Sequence, residues 1–158
     1  MRLSLAPTDI SAQTIFYGKP QLNNIMRDSE FSRITYSSNN LSTSGILLSV
    51  HLKIDKQSTY YNKYKLYFNQ EENGEIIDQL KKVEIQILNA RPNKHLSPSY
   101  KLARQLNQGY IRIYSEGEYE PADRSHMHLK IAGVWATESE SGITYKFSSC
   151  QPENPTSS

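Results

Sequence analysis

Two short stretches alternate aromatic rings with cations at the period of a β-strand: Tyr61, Lys63, Lys65 and Tyr67 in one, Tyr110, Arg112 and Tyr114 in the other. Side chains two residues apart on a strand share a face, so each stretch gathers rings and positive charges on one side. Cations neutralise phosphate and exposed rings stack on bases, and neither interaction requires a particular base sequence. Lys53, Lys130 and Lys146 occupy outward positions of three further alternating stretches. The chemistry open to such a surface is non-covalent. Tyr61, Tyr67, Tyr110 and Tyr114 are its candidate stacking platforms, and Lys53, Lys63, Lys65, Arg112, Lys130 and Lys146 its candidate phosphate contacts.

Residues that could do covalent or metal chemistry are poorly supported by their surroundings. His126 and His128 would share a strand face, but no further His or Cys lies near them in sequence, and zinc normally takes three or four protein ligands. Glu116, Glu118, Glu120 and Asp123 stand with Gly117 and Pro121 in what reads as a solvated loop. Cys150 lies in a proline-bearing segment with no base implied beside it, which makes a poor nucleophile. The chain has no glycine-rich phosphate loop, no H-E-x-x-H and no G-x-S-x-G. No enzyme activity, cofactor or metal is expected.

The strands that must position the cations and rings recur between turn residues: Phe31 to Tyr36, Gly45 to Ile54, Tyr60 to Asn69, Tyr110 to Ser115, Met127 to Thr137 and Ile143 to Ser148. Their inner rows are apolar: Ile46, Leu48, Val50, Leu52 and Ile54; Tyr64, Leu66 and Phe68; Ile111 and Ile113; Leu129 and Ile131, with Gly133 and Trp135; Ile143, Tyr145 and Phe147. These six stretches hold seven of the 18 Lys and Arg residues (Arg33, Lys53, Lys63, Lys65, Arg112, Lys130 and Lys146) and none of the 16 acids. A face chosen only for solubility would usually mix the two signs, because opposite charges across strands are mildly stabilising. Acids are, however, disfavoured in strands on their own account.

The last two strands form a hairpin through the polar loop Glu138 to Gly142. Ile76, Ile77, Leu80, Val83, Ile87 and Leu88 make a helical stripe, although Val83, Ile85 and Ile87 also alternate as a strand would. Pro98 to Asn107 reads as a shorter helix stopped by Gly109. The resulting order predicts a mainly β fold. It is a five- or six-stranded antiparallel barrel of the oligonucleotide-binding type, with one or two helices between the third and fourth strands, or else an antiparallel β-sandwich.

At 158 residues the chain has the size of one domain. Residues 31–149 are expected to form it, residues 1–30 to be peripheral, and residues 150–158 to be a disordered tail. Net charge is +2 and mean hydropathy -0.65, and no stretch approaches the roughly 20 apolar residues that span a bilayer. Met1 to Pro20 has no signal-peptide core, and a lone cysteine fits a reducing compartment. An intracellular setting without a membrane partner is expected.

Leu129-Lys130-Ile131-Ala132-Gly133-Val134-Trp135-Ala136-Thr137, followed by Gly142-Ile143-Thr144-Tyr145-Lys146-Phe147, resembles the closing hairpin of single-strand-binding-like proteins of large DNA viruses. Phe31-Ser32-Arg33-Ile34-Thr35-Tyr36-Ser37, with Gly45-Ile46 after it, is similar to the opening strand of the same group. The resemblance implies an oligonucleotide-binding barrel that coats exposed strands during viral replication, in host cytoplasm or nucleus. The chain departs from the group in ending Gln151-Pro152-Glu153-Asn154-Pro155 and Thr156 where those proteins have an acidic tail. Single-stranded nucleic acid is thus the expected partner. The rival expectations are a virion structural component, with virion proteins or further copies of the chain as partners, and a protein adaptor using the tyrosine-rich face.

Overall fold

Residues 76–88 could be read at either period, and burial shows which one the chain adopts. Ile77, Leu80, Val83, Ile87 and Leu88 are buried while Ile85 remains 43% exposed, which is the three-four spacing of a helix. The computed structural model describes residues 5–11, 14–23, 28–38, 41–60, 63–114 and 126–149; of Ser38, Leu41, Tyr60 and Tyr114 it describes the backbone. The helix is α1 (Gly74–Ala90), and a second, α2 (Lys101–Asn107), follows it. A short 3-10 turn lies at Pro7–Asp9. The strands are β1 (Ile15–Tyr17), β2 (Gln21–Leu22), β3 (Glu30–Ser38), β4 (Leu41–Ser44), β5 (Ile46–His51), β6 (Ile54–Tyr60), β7 (Lys63–Phe68), β8 (Ser97–Ser99), β9 (Tyr110–Tyr114), β10 (His126–Ala136) and β11 (Glu140–Ser149).

With 53% of the described residues in strands and 23% in helices, the fold is mainly β. The sheet runs β1-β3-β10-β11-β9-β7-β6 and curls into a half-barrel. β10 is its axis. One edge pairs with β11 from Met127↔Ser149 to Ala136↔Ser141; the other pairs with β5 over His126 to Ile131 and with β3 over Gly133 to Ala136. Among the described residues no ladder joins β6 back to β1, β4 or β5, so the barrel-like sheet is open on that side. Nor is it wholly antiparallel: β8 and β9 both lie parallel to β11.

The core lies between the inward face of this sheet and α1. Ile34, Ile46, Leu48, Leu66, Ile111, Leu129 and Ile131 are at or below 1% exposure and meet Leu80, Ile87 and Leu88 of the helix. Several described residues of the segment before residue 31 reach this core. Ile10 and Ile15 are buried in it, Leu5 bridges Leu48, and the Tyr17 hydroxyl donates to the Ile87 carbonyl at 2.6 Å. The segment's strands, of three and two residues, are too short to show a period, which is why the sequence does not reveal them.

The expected second strand breaks in two at Leu52 and Lys53. Asn73, buried just before α1, takes the place of a ladder partner there. Its Oδ1 accepts from the Lys53 amide at 2.7 Å, and its Nδ2 donates to the Lys53 and Asn69 carbonyls at 3.2 and 2.8 Å. The chain then turns into β6, a strand unseen in the sequence, which forms a hairpin with β7. The β10–β11 connection is tighter than expected. The Thr137 amide donates to the Glu140 carbonyl at 2.8 Å, leaving only Glu138 and Ser139 in the turn, and Gly142 is paired within the strand. Gly109 does end the α2 region, with a φ of 82°.

α2 is tied to α1 by a buried carboxylate. Glu84 has no exposure, and its two oxygens accept from the Leu102 and Ala103 amides at 2.9 and 3.0 Å. Burial raises its pKa, opposed by those two hydrogen bonds and by the charge of Arg104. Replacing Glu84 with Ala would leave both donors without partners at a cost of roughly 1 to 3 kcal/mol for each. Urea denaturation of Glu84→Ala should therefore show a loss of stability of about 2 to 4 kcal/mol, and a loss below about 0.5 kcal/mol would mean that water replaces the carboxylate.

Candidate nucleic-acid interface

Strand alternation divides the sheet into the sealed inner face and an outer face turned away from α1. On β7, Tyr64, Leu66 and Phe68 are buried, while Lys63, Lys65 and Tyr67 alternate with them. On β9, Ile111 and Ile113 are buried and Arg112 is exposed. On β10 and β11, Lys130 and Lys146 are both exposed and alternate with Leu129, Ile131 and Phe147. Arg33 is exposed on β3 beside Gly133.

The ladders bring these positions together. Lys65 lies directly opposite Arg112, Tyr67 opposite Tyr110, and Lys130 opposite Lys146. The Tyr67 and Tyr110 rings are 5.9 Å apart at 49°, and the Lys65 ammonium sits 4.0 Å from the centre of Tyr110 and 5.3 Å from that of Tyr67. The Arg112 guanidinium lies 5.8 Å from the centre of the Tyr110 ring. The result is a cluster of two rings and several cations held by cation–π contacts.

One member of the cluster was missed in the sequence. Lys56 of β6 pairs with Tyr67 and reaches within 5.7 Å of its ring. It was invisible because residues 54–60 lack an apolar alternation. The hydrogen bond from Lys65 is the main cause that lowers the Tyr67 pKa below the ordinary tyrosine value, with Ser58 and the charges of Lys65 and Lys56 adding to it.

The remaining expected site residues fall differently. Lys53 is not on the outer face of a strand; it stands in the β5–β6 link, lining a cleft with Glu72, Glu75 and Gln79 beside α1. Tyr61 lies outside the described residues. Tyr114 holds the register position between Ser148 and Lys63. The loop carrying Glu116 to Asp123, and Cys150 with the tail that follows, also lie outside the described residues. The strands do contain three acids that the expected boundaries omitted, Glu30, Asp55 and Glu140, but each stands at or next to a strand end. Glu140 is six residues, roughly 20 Å, along β11 from Lys146.

Trp135 does not share the inner row with Ile131. A bulge between Ile131 and Gly133 reverses the alternation, so Val134 joins the core and Trp135 faces the opposite side. There it is still buried, at 4% exposure, against Gly142, whose missing Cβ would lie 2.7 Å from the indole, and under the Lys101 ammonium at 4.6 Å.

His126 and His128 share a face as expected, and His51 joins them from β5. Among the described residues no group of three His, Cys, Asp or Glu side chains is arranged to hold a metal ion. No described helix is long and apolar enough to cross a membrane. No family model, curated protein or solved structure matches the chain.

The tyrosines of the two faces should titrate apart. Burial raises Tyr17 and Tyr145 to about 12, opposed by Arg91 at Tyr17 and reinforced by Glu84 at Tyr145, while Tyr67 lies below the usual value of 10. In the unfolded chain all three ionise near 10. The stability conferred by Tyr17 and Tyr145 is therefore complete below pH 10 and lost as pH rises from 10 to 12. Absorbance titration at the phenolate band should show one tyrosine ionising early in the native protein, and Lys65→Met should move that transition upward. A Tyr67→Phe variant that retains the early transition would assign it to another ring.

Proposed function

We propose that the protein is a non-catalytic, sequence-tolerant binder of single-stranded nucleic acid that works through the outer face of its curled sheet. The observation that carries this reading is the pairing of like charges. Lys65 opposes Arg112 and Lys130 opposes Lys146, although like charges directly across strands destabilise a sheet. A phosphate backbone lying along the same line would offset that repulsion with its own negative charge.

The rings set the preference for a single strand. Tyr67 and Tyr110 are fixed by Lys65 and Arg112 and offer faces to unstacked bases, which a duplex keeps inside. Lys63, Lys56 and Arg33 extend the phosphate contacts on either side of the paired cations. An oligonucleotide-binding type of half-barrel, the resemblance to viral strand-coating proteins, and an intracellular, reducing setting for Cys150 are part of the same proposal.

Fluorescence anisotropy with a labelled oligonucleotide of about 20 nucleotides tests it. Binding should prefer the single strand to the duplex and weaken steeply as salt is raised. Lys65→Ala should reduce the salt slope by about one unit. Lys65→Glu with Arg112→Glu should weaken binding by about 100-fold or more while the circular dichroism spectrum stays that of the native protein. Unchanged affinity in that double variant would refute the assignment of the face. No binding even at low salt would leave the tyrosine-rich surface as a protein contact, the role an adaptor or virion component requires.

A further inference from the structure

We infer that the strand-binding track does not stop at the tyrosine cluster but crosses the sheet to a second stacking platform, formed by the imidazoles of His51 and His126 on β5 and β10. The inference rests on the proposed function and adds a site to it. His51 and His126 are in register across the ladder, and their rings are stacked face to face, 4.2 Å between centroids and 6° from parallel. His126 is held by a 2.7 Å hydrogen bond between its Nε2 and the Ser49 hydroxyl, and by an edge contact with His128 at 5.8 Å. His51, the outer ring of the stack, is exposed. Imidazole is among the rings on which unstacked bases lie, and a pair already stacked and fixed loses little freedom when a base extends it.

The ladders join this platform to the first one. Ser49, His128, Ser148, Tyr114, Lys63 and Tyr60 occupy one continuous cross-strand row over β5, β10, β11, β9, β7 and β6. Five inter-strand steps make the row about 24 Å long. Parallel pairing at Ser148↔Tyr114 sets Lys146 of β11 and Arg112 of β9 on the same side of that row, two residues back along each strand. Lys130 and Lys65 are their direct partners. The four cations that repel one another thus lie between two ring platforms, Tyr67 with Tyr110 at one corner of the sheet and His51 with His126 at the other. Rings at both ends and cations between them fit a single nucleic-acid strand that crosses the β-strands obliquely, with bases on the rings and phosphates over the cations.

Nuclear magnetic resonance of the four histidines, with the intact protein and unlabelled dT20, tests this without any substitution. The imidazole signals of His51, His126 and His128 should shift as dT20 is added, while that of His95, in the link between α1 and β8, should stay in place. In anisotropy, His51→Ala should weaken dT20 binding by about tenfold, and His51→Phe, which keeps a ring, should restore most of that loss. If dT20 binds and the three signals do not move, the track ends at the tyrosine cluster, and the inference fails while the proposed function stands. If dT20 does not bind the wild-type protein at all, both fail together.

Discussion

The close approach of β3 to β10 at Gly133 is the constraint on which the rest of the sheet depends. A Cβ at that position would lie 2.2 Å from the Ser32 carbonyl oxygen and 2.6 Å from the Phe31 ring, so only glycine lets the two strands pair. Just before it the bulge at Ala132 ends the pairing with β5 and begins the pairing with β3, which is how one strand serves two partners along a single edge. The same bulge reverses the facing of β10. Before it the outward residues are His126, His128 and Lys130; after it Trp135 takes the outward side and is covered by Gly142 and Lys101. The polar and charged outward residues of β10 itself are therefore limited to its first half.

The ladders also concentrate charge. Arg112, Lys65, Lys130 and Lys146 could each have been separated from the others by one register step, yet the ladders place them in two opposed pairs. Within the first pair, the tyrosine faces absorb part of the repulsion, since the negative face of each ring sits under an ammonium or guanidinium group. Those contacts also stiffen the rings. A ring fixed by cations at its side loses less freedom on stacking than one that rotates in solvent. The charges therefore supply both the attraction for phosphate and the preorganisation of the stacking groups.

Most of the sheet was legible from local patterns, because each inner row is apolar at period two and the residues between are polar. β5, β7, β9, β10 and β11 follow those rows, and the helix followed its three-four stripe despite the competing alternation of Val83, Ile85 and Ile87. What was not legible depends on partners distant in sequence. β6 begins at Ile54 because the Asn73 side chain captures Lys53 from 20 residues away, and nothing in the run from Gly45 to Ile54 marks that break. Trp135 changed sides because of a one-residue bulge, which alternation alone cannot reveal. Lys56 and His51 entered the site only through ladders with Tyr67 and His126.

The two faces of the sheet also differ in what holds them, and this separates fold from function. The inner face is closed by α1, which the Tyr17 hydroxyl, the Asn73 amide and the Glu84 carboxylate tie respectively to β1, to the β5–β6 link and to α2. Arg91 ends the helix, donating to the Leu88 and Leu96 carbonyls. All these ties use buried or half-buried polar groups with backbone partners, the kind of interaction whose loss is costly. On the outer face the ring and cation contacts of Lys65, Arg112, Tyr67 and Tyr110 lie near solvent, where such contacts contribute little to stability. A fold anchored on one side in this way tolerates an electrostatically unfavourable surface on the other. Lys65, Arg112, Lys130 and Lys146 can remain opposed in like-charged pairs because the hydrogen bonds and apolar rows that fix their strands do not depend on them.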